Sequence, residues 1–135
     1  MAERSWRGIL DTSVVIVLDD MDLDLLPTEL AVTSITMAEL AAGPHATHDP
    51  MERARRQDRL QRAEAAFEPL PFDSAAARAY GQIYAAVITQ GRKARGARAV
   101  DLMIAAVAAS VSTPLYTRNP KDFTGLDDLL TVIAV

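Results

Sequence analysis

Short apolar or β-branched runs alternate with helix-patterned stretches along this chain, and an acidic residue follows several of the junctions. Arg7 to Leu10 ends at Asp11, and Thr12 to Leu18 stays apolar or small until Asp19-Asp20, which reads as strand then helix. Leu30 to Ile35 is β-branched and of strand length, and Thr36 to Ala42 reads as a short helix closed by Gly43-Pro44. Asp49 offers an N-cap with Pro50 at the first helical position. The helix it opens is charged and runs to about Phe67, with Leu60, Ala63, Ala66 and Phe67 as an apolar stripe. Pro69-Leu70-Pro71-Phe72 suits only an edge strand.

Asp73-Ser74 caps a long helix in which Ala76, Tyr80, Ile83, Tyr84 and Val87 recur at helical spacing, and Gly91 marks its end. A nearly all-apolar helix from about Ala99 to Ser110 follows, with Asp101 in its first turn and burial expected on most sides. Pro114 to Thr117 is a short strand, Arg118 to Phe123 a polar turn, and Leu130 to Val135 a last strand. Such alternation implies parallel β/α units with helices on both faces of an open sheet. In that architecture, polar groups just beyond the C-terminal ends of the strands converge on one crevice.

At 135 residues the chain is expected to form one domain, residues 1–135, around one core. Half the residues are hydrophobic and 24% charged, the balance of a packed, soluble protein. With no cysteine, thiolate metal sites and cysteine nucleophiles are excluded, and the cytoplasm is the expected compartment. The N-terminal residues Met1 to Arg7 lead into an apolar stretch that Asp11 interrupts, too short for a signal-peptide core, and no apolar run is long enough for a membrane span. The net charge of −4 argues against nucleic acid until its distribution is considered. Arg92, Lys93, Arg95 and Arg98 place four cations and no anion within seven residues, and Met51 to Arg62 carries a net +3. Both segments offer the local positive charge that phosphates require.

Asp11 ends the first strand, Glu39 lies one helical turn past the second, Asp101 opens the buried helix, and Asn119 and Asp122 follow the strand ending at Thr117. Each acid has a structural explanation of its own. Asp11 suits an N-cap, Thr36-Met37-Ala38-Glu39 matches a capping box, Asp101 complements a helix dipole, and Asp122 fits a turn. Convergence changes the balance. Two carboxylates 4 Å apart repel by about 4 kcal/mol at an effective dielectric near 20, so a cluster must take up protons or a cation. All-oxygen ligands suit Mg²⁺ or Mn²⁺ completed by substrate phosphate. His45 and His48 read as solvated loop residues, and Ser13 lacks the histidine a serine hydrolase needs. Met37, Met51 and Met103 read as core fillers.

Asp11-Thr12-Ser13, Thr36-Met37-Ala38-Glu39-Leu40, the block Arg98 to Ala106 containing Asp101-Leu102-Met103-Ile104, and Leu115 to Phe123 containing Thr117-Arg118-Asn119 and Asp122-Phe123 together resemble the VapC toxins, PIN-domain proteins of type II toxin–antitoxin systems. Leu70-Pro71-Phe72-Asp73, Tyr80-Gly81 and Gly91-Arg92 extend the likeness over nearly the whole chain. The resemblance implies a three-layer α/β/α sandwich around a mostly parallel sheet of four to five strands. It also implies an Mg²⁺- or Mn²⁺-dependent endoribonuclease, a homodimer, and a cognate VapB-like antitoxin that occupies the active groove. On that basis Asp11 and Asp101 would be the principal metal ligands, Glu39 would hold metal or activate water, and Thr12, Ser13, Thr117 and Asn119 would support the pocket. Many family members carry their fourth acid where this chain has Asn119, so Asp122 is expected in that role.

Arg92, Lys93, Arg95 and Arg98 would then contact phosphates of the RNA, positioning the strand without reading its sequence. Two other readings stand beside this one. The first is a catalytically silent PIN-like module that acts with an antitoxin in transcriptional autoregulation. The second is an aspartyl-phosphate former, which expects a second Asp two residues after Asp11, where this chain has Ser13.

Overall fold

Ile9 and Leu10 are neighbours in sequence, both are wholly buried, and they belong to different hydrophobic cores. The computed structural model, which describes residues 6–135, shows why. Strand β1 (Arg7–Leu10) lies inside a four-stranded sheet of order β2-β1-β3-β4, with β2 at Glu29–Ala31, β3 at Leu115–Thr117 and β4 at Val132–Ala134. All three pairings are parallel, with Ile9 opposite Ala31 and Leu115, and Tyr116 opposite Leu10 and Ile133. Successive side chains of a strand point to opposite faces. Ile9 and Leu115 therefore enter one core, Leu10 and Tyr116 the other.

Among the described residues five α-helices cover the two faces: α1 (Thr12–Ile16), α2 (Ser34–Ala42), α3 (Pro50–Ala66), α4 (Ser74–Thr89) and α5 (Ala97–Ser110). On one face Ile83 and Val87 of α4 and Leu102, Ile104 and Ala105 of α5 pack with Phe123, Leu126 and Leu130. On the other, Val14 and Val15 of α1, Leu40 of α2 and Ala63 of α3 enclose Tyr116 and Leu26. The expected three layers are present, and the sheet has four strands, all parallel. A sheet covered on both faces needs near-continuous apolar strands, which is how β1 and β3 read. Among the described residues no helix is long and apolar enough to cross a membrane. Residues 1–5, part of the segment read for a signal peptide, lie outside the described residues.

Several local expectations shift. The run Leu30 to Ile35 is not one strand: β2 stops at Ala31, and Thr33 turns the chain by capping α2, its hydroxyl accepting the Thr36 backbone N–H at 3.1 Å. The capping box assigned to Thr36 and Glu39 therefore does not exist, and both residues lie within the helix. Helix α5 starts at Ala97 because Gly96, at φ +66°, supplies the left-handed turn that precedes it. Asp101 consequently sits in the second turn rather than the first. Pro69 to Phe72 contributes one parallel bridge, Leu70 exchanging backbone hydrogen bonds with Val32 and Ser34 at 2.9 and 2.8 Å. Met51 is 67% exposed and fills no core, since it occupies the outer side of the first turn of α3.

Gly8 is required by packing. A β-carbon there would overlap the Tyr116 ring and lie 2.8 Å from the Pro27 ring. Gly8→Ala is expected to lower unfolding stability by about 1–3 kcal/mol, the usual cost of overfilling a packed core, as measured by urea denaturation. An unchanged midpoint would show that the Tyr116 ring moves aside freely.

Candidate active site

The chain leaves β1 for β2 on one side and later returns through β3 on the other, so the connection reverses direction between β1 and β3. In open parallel sheets the crevice beyond the strand ends at such a reversal is the preferred binding place. Asp11 follows β1 directly, and Thr117 ends β3.

Asp11 is only 5% exposed and does two jobs at once. Its Oδ1 caps α1, accepting the Val14 N–H at 3.3 Å and the Ser13 hydroxyl at 2.5 Å. Its Oδ2 accepts the hydroxyl of fully buried Thr117 at 2.6 Å. Those hydroxyls are themselves held, Thr117 Oγ1 accepting the Asn119 N–H at 2.9 Å and Ser13 Oγ the Arg118 N–H at 3.2 Å. An ionised carboxylate offers about four lone-pair positions, so with two donors on Oδ1 and one on Oδ2 it is Oδ2 that can accept a further partner. Capping and site formation are thus the same geometry.

Glu39 projects from the middle of α2 and is tied to the start of α1 by the Thr12 hydroxyl, which donates to its Oε1 at 2.5 Å. Buried Thr36 lies 3.1 Å from the same hydroxyl. Thr12 has one proton and the carboxylate can only accept, so the Thr12–Thr36 contact is completed by the Thr36 proton. Thr36 is a site-supporting residue that sequence reasoning assigned to a cap. The spacing from Thr33, the residue that does cap α2, was the available signal.

Asp101 is where the acids meet. Its pKa is pushed up to about 6, first by burial, then by the charges of Asp122, Glu39 and Asp11, while Arg98 alone pulls it down. The other three acids named from sequence therefore all act on Asp101. Asp122 contributes the largest of the three repulsions. Asn119 caps the 3-10 turn Pro120–Phe123 without using its side chain, and its link to the site is the backbone N–H on Thr117.

The basic run divides. Arg98 donates to the Asp122 carbonyl at 2.8 Å and lies 3.8 Å from its carboxylate. Arg92 donates to the carbonyls of Lys121 and Thr124 at 3.0 and 3.2 Å. Both clamp the turn that carries Asp122. Lys93 and Arg95 are exposed, and no hydrogen bond or ion pair engages their side chains among the described residues.

Could these residues hold a divalent ion? The donors are hard carboxylate oxygens, and the crowding at Asp101 is what a cation relieves. Yet no three acids or histidines among the described residues stand close enough to form a ready-made metal cluster. The two observations agree if the carboxylates remain spread by mutual repulsion. Spread carboxylates suit an ion that keeps several of its own waters and touches few protein oxygens. The donor set fits Mg²⁺ or Mn²⁺ on chemistry and charge. His45 and His48 are exposed and take no part.

Comparison with known proteins was decisive on family. The profile of the PIN domain matches residues 9–128. Ribonuclease VapC5 of Mycobacterium tuberculosis (strain ATCC 25618 / H37Rv) is 38% identical over 135 residues, covering 98% of this chain and 96% of the relative. This chain is a PIN domain of the VapC family. The crystal structure of VapBC-5 from Mycobacterium tuberculosis, a member of the VapBC family of toxin–antitoxin systems, superposes on it with a TM-score of 0.81 at 38% identity, covering 96% of this chain and 97% of that one. FitAcB from Neisseria gonorrhoeae matches with a TM-score of 0.68 at 28% identity over 93% and 95% of the respective chains.

In this PIN domain the raised pKa of Asp101 has a consequence for stability. A carboxyl whose folded pKa lies above its unfolded value of 3.8 binds more protons in the folded state, so stability falls as pH rises from about 4 to about 6. Without metal, Asp101→Asn removes that penalty. After discounting for the half-exposed position, a gain of about 1 kcal/mol, or a Tm rise of about 3 °C, is expected at pH 7.5. The gain should vanish at pH 4. A lower Tm for the variant at pH 7.5 would instead assign Asp101 a stabilising structural role.

Proposed function

We propose that this chain is a metal-dependent endoribonuclease, the toxin of a VapBC-type pair, and that Asp11, Glu39, Asp101 and Asp122 form its catalytic site. The observation that carries the reading is the electrostatic convergence of three acids from separate elements on the half-buried Asp101. Family membership gives the direction: the VapC5 relative is named a ribonuclease, and the VapBC-5 structure belongs to a toxin–antitoxin system.

Asp11 and Asp101 would be the principal ligands of Mg²⁺ or Mn²⁺, with Glu39 and Asp122 completing the charge. A divalent ion bound there supplies a more acidic water and charge stabilisation at the scissile phosphate. The residues of the chain do the positioning. Ser13 and Thr117 fix both oxygens of Asp11, Thr12 holds Glu39, and Arg98 with Arg92 sets the turn bearing Asp122. Glu39, the exposed acid of the four, or the half-exposed Asp122 would accept a proton from the attacking water. Lys93 and Arg95, which no hydrogen bond or ion pair engages among the described residues, would meet the RNA backbone. A single-stranded loop of RNA is the preferred substrate class, because its bases are accessible. The partner would be a VapB-like antitoxin, the working unit a homodimer, and the place of action the cytoplasm.

The test is RNA cleavage with purified protein in Mg²⁺ or Mn²⁺. Asp11→Asn and Asp101→Asn should each lower kcat at least 100-fold while preserving the fold, and chelation should abolish turnover of the parent. Turnover by the variants equal to the parent would refute the assignment. A parent that binds metal yet cleaves no RNA would select the silent, autoregulatory module instead.

A further inference from the structure

Helix α3 carries five arginines, and four of them are engaged. Arg53 donates to the carbonyls of Pro44 and Thr47 at 3.1 and 3.0 Å, and Arg56 donates to the Gly43 carbonyl at 2.9 Å while pairing with Glu52 at 3.7 Å. Arg55 also pairs with Glu52, at 3.7 Å, and Arg62 pairs with Asp19 and Asp58 at 2.5 and 3.0 Å. Arg59 has no hydrogen bond or ion pair among the described residues, although it is half-buried. A partly desolvated guanidinium with five unsatisfied donors is costly unless a ligand completes it, and its planar fork matches phosphate oxygens in pairs.

Its position is informative. Arg59 borders a cavity of about 340 Å³ that is also lined by Thr12 and Glu39, the hydrogen-bonded pair of the proposed active site. The other charges facing this space are Glu39, Glu52 and Arg56, and the last two pair with each other. Arg59 also borders a neighbouring cavity of about 510 Å³, between α1 and α3, whose other charges are Asp20 and the pair of Arg62 with Asp19. Among the described residues Arg59 is thus the cation lining these two cavities that no ion pair or hydrogen bond engages, and it stands where a strand seated at the acids would continue along α3. The cationic residues Lys93 and Arg95 belong to the loop before α5, a different element.

We propose that Arg59 binds a backbone phosphate of single-stranded RNA flanking the scissile one, and so sets the direction in which the substrate leaves the active site. The assignment rests on the ribonuclease reading for its substrate class, but binding can be measured apart from cleavage. The site is a positioning site: Arg59 acts on a phosphate that does not react.

The experiment follows binding of a fluorescein-labelled single-stranded RNA by anisotropy across a range of salt concentrations. It uses full-length protein carrying Asp101→Asn so that the strand stays intact. Adding Arg59→Ala should raise Kd about fivefold and reduce the slope of log affinity against log salt by about 0.7, the loss of one phosphate contact on a single strand. Arg59→Lys, which keeps the charge without the fork, should keep the slope and lose about twofold in affinity. Arg55→Ala, an equal charge change on the same helix outside the cavity, should leave the slope unchanged. Matching thermal melts exclude misfolding as the cause. Equal slopes for the Arg59 and Arg55 variants overturn the proposal while leaving the nuclease reading intact, as does an Arg59 effect seen only with an acidic peptide. Arg59-dependent RNA binding by a parent that never cleaves RNA supports this proposal and sinks the nuclease reading. Absence of any RNA binding overturns both.

Discussion

The burial of Asp101 among three other carboxylates near the ends of parallel strands is the constraint around which the candidate site of this PIN domain is arranged. Asp101 feels Asp122, Glu39 and Asp11 together, and among the described residues the guanidinium of Arg98 opposes them. Such crowding costs stability in the empty protein and is retained in folds where a ligand relieves it. Much of the neighbouring structure consists of devices that hold the repelling groups in place. Asp11 is locked by three donors, Glu39 by a threonine from another helix, and the Asp122 turn by two arginines.

The same arrangement explains why structural and catalytic readings of Asp11 do not compete. Its carboxylate caps α1 because β1 ends one residue earlier, and β1 is the strand beside which the order of the sheet reverses, toward β3. The cap therefore places the acid in the crevice that the topology creates. Thr117 arrives from β3 at the same point and is buried because its hydroxyl is paired.

The layer architecture was legible in the sequence because the period of the apolar residues changes from strand to helix at each junction, and caps such as Asp11, Asp49 and Asp73 are strong local signals. Legibility failed where local patterns conflict. Val32 to Ile35 is β-branched, yet the Thr33 cap wins and begins a helix, because the chain must turn back over the sheet. Gly96 starts α5 earlier than the apolar pattern suggests, which moves Asp101 along the helix without moving it out of the site. The acids of the proposed site could be read from strand ends. Their supports could not, since Thr36 and Arg98 act through contacts with residues 24 positions away. Charge counts were least informative of all: of the cations in the Arg92–Arg98 loop and on α3, most are committed to protein partners, and only pairing geometry separates Lys93, Arg95 and Arg59 from the rest.

A calorimetric titration of metal-free protein with Mn²⁺ at pH 7.5 tests the central claim most directly. The account predicts one saturable binding process that Asp101→Asn or Asp11→Asn weakens at least tenfold and that His45→Ala leaves unchanged. Absence of saturable binding, or binding indifferent to both aspartates, would contradict it.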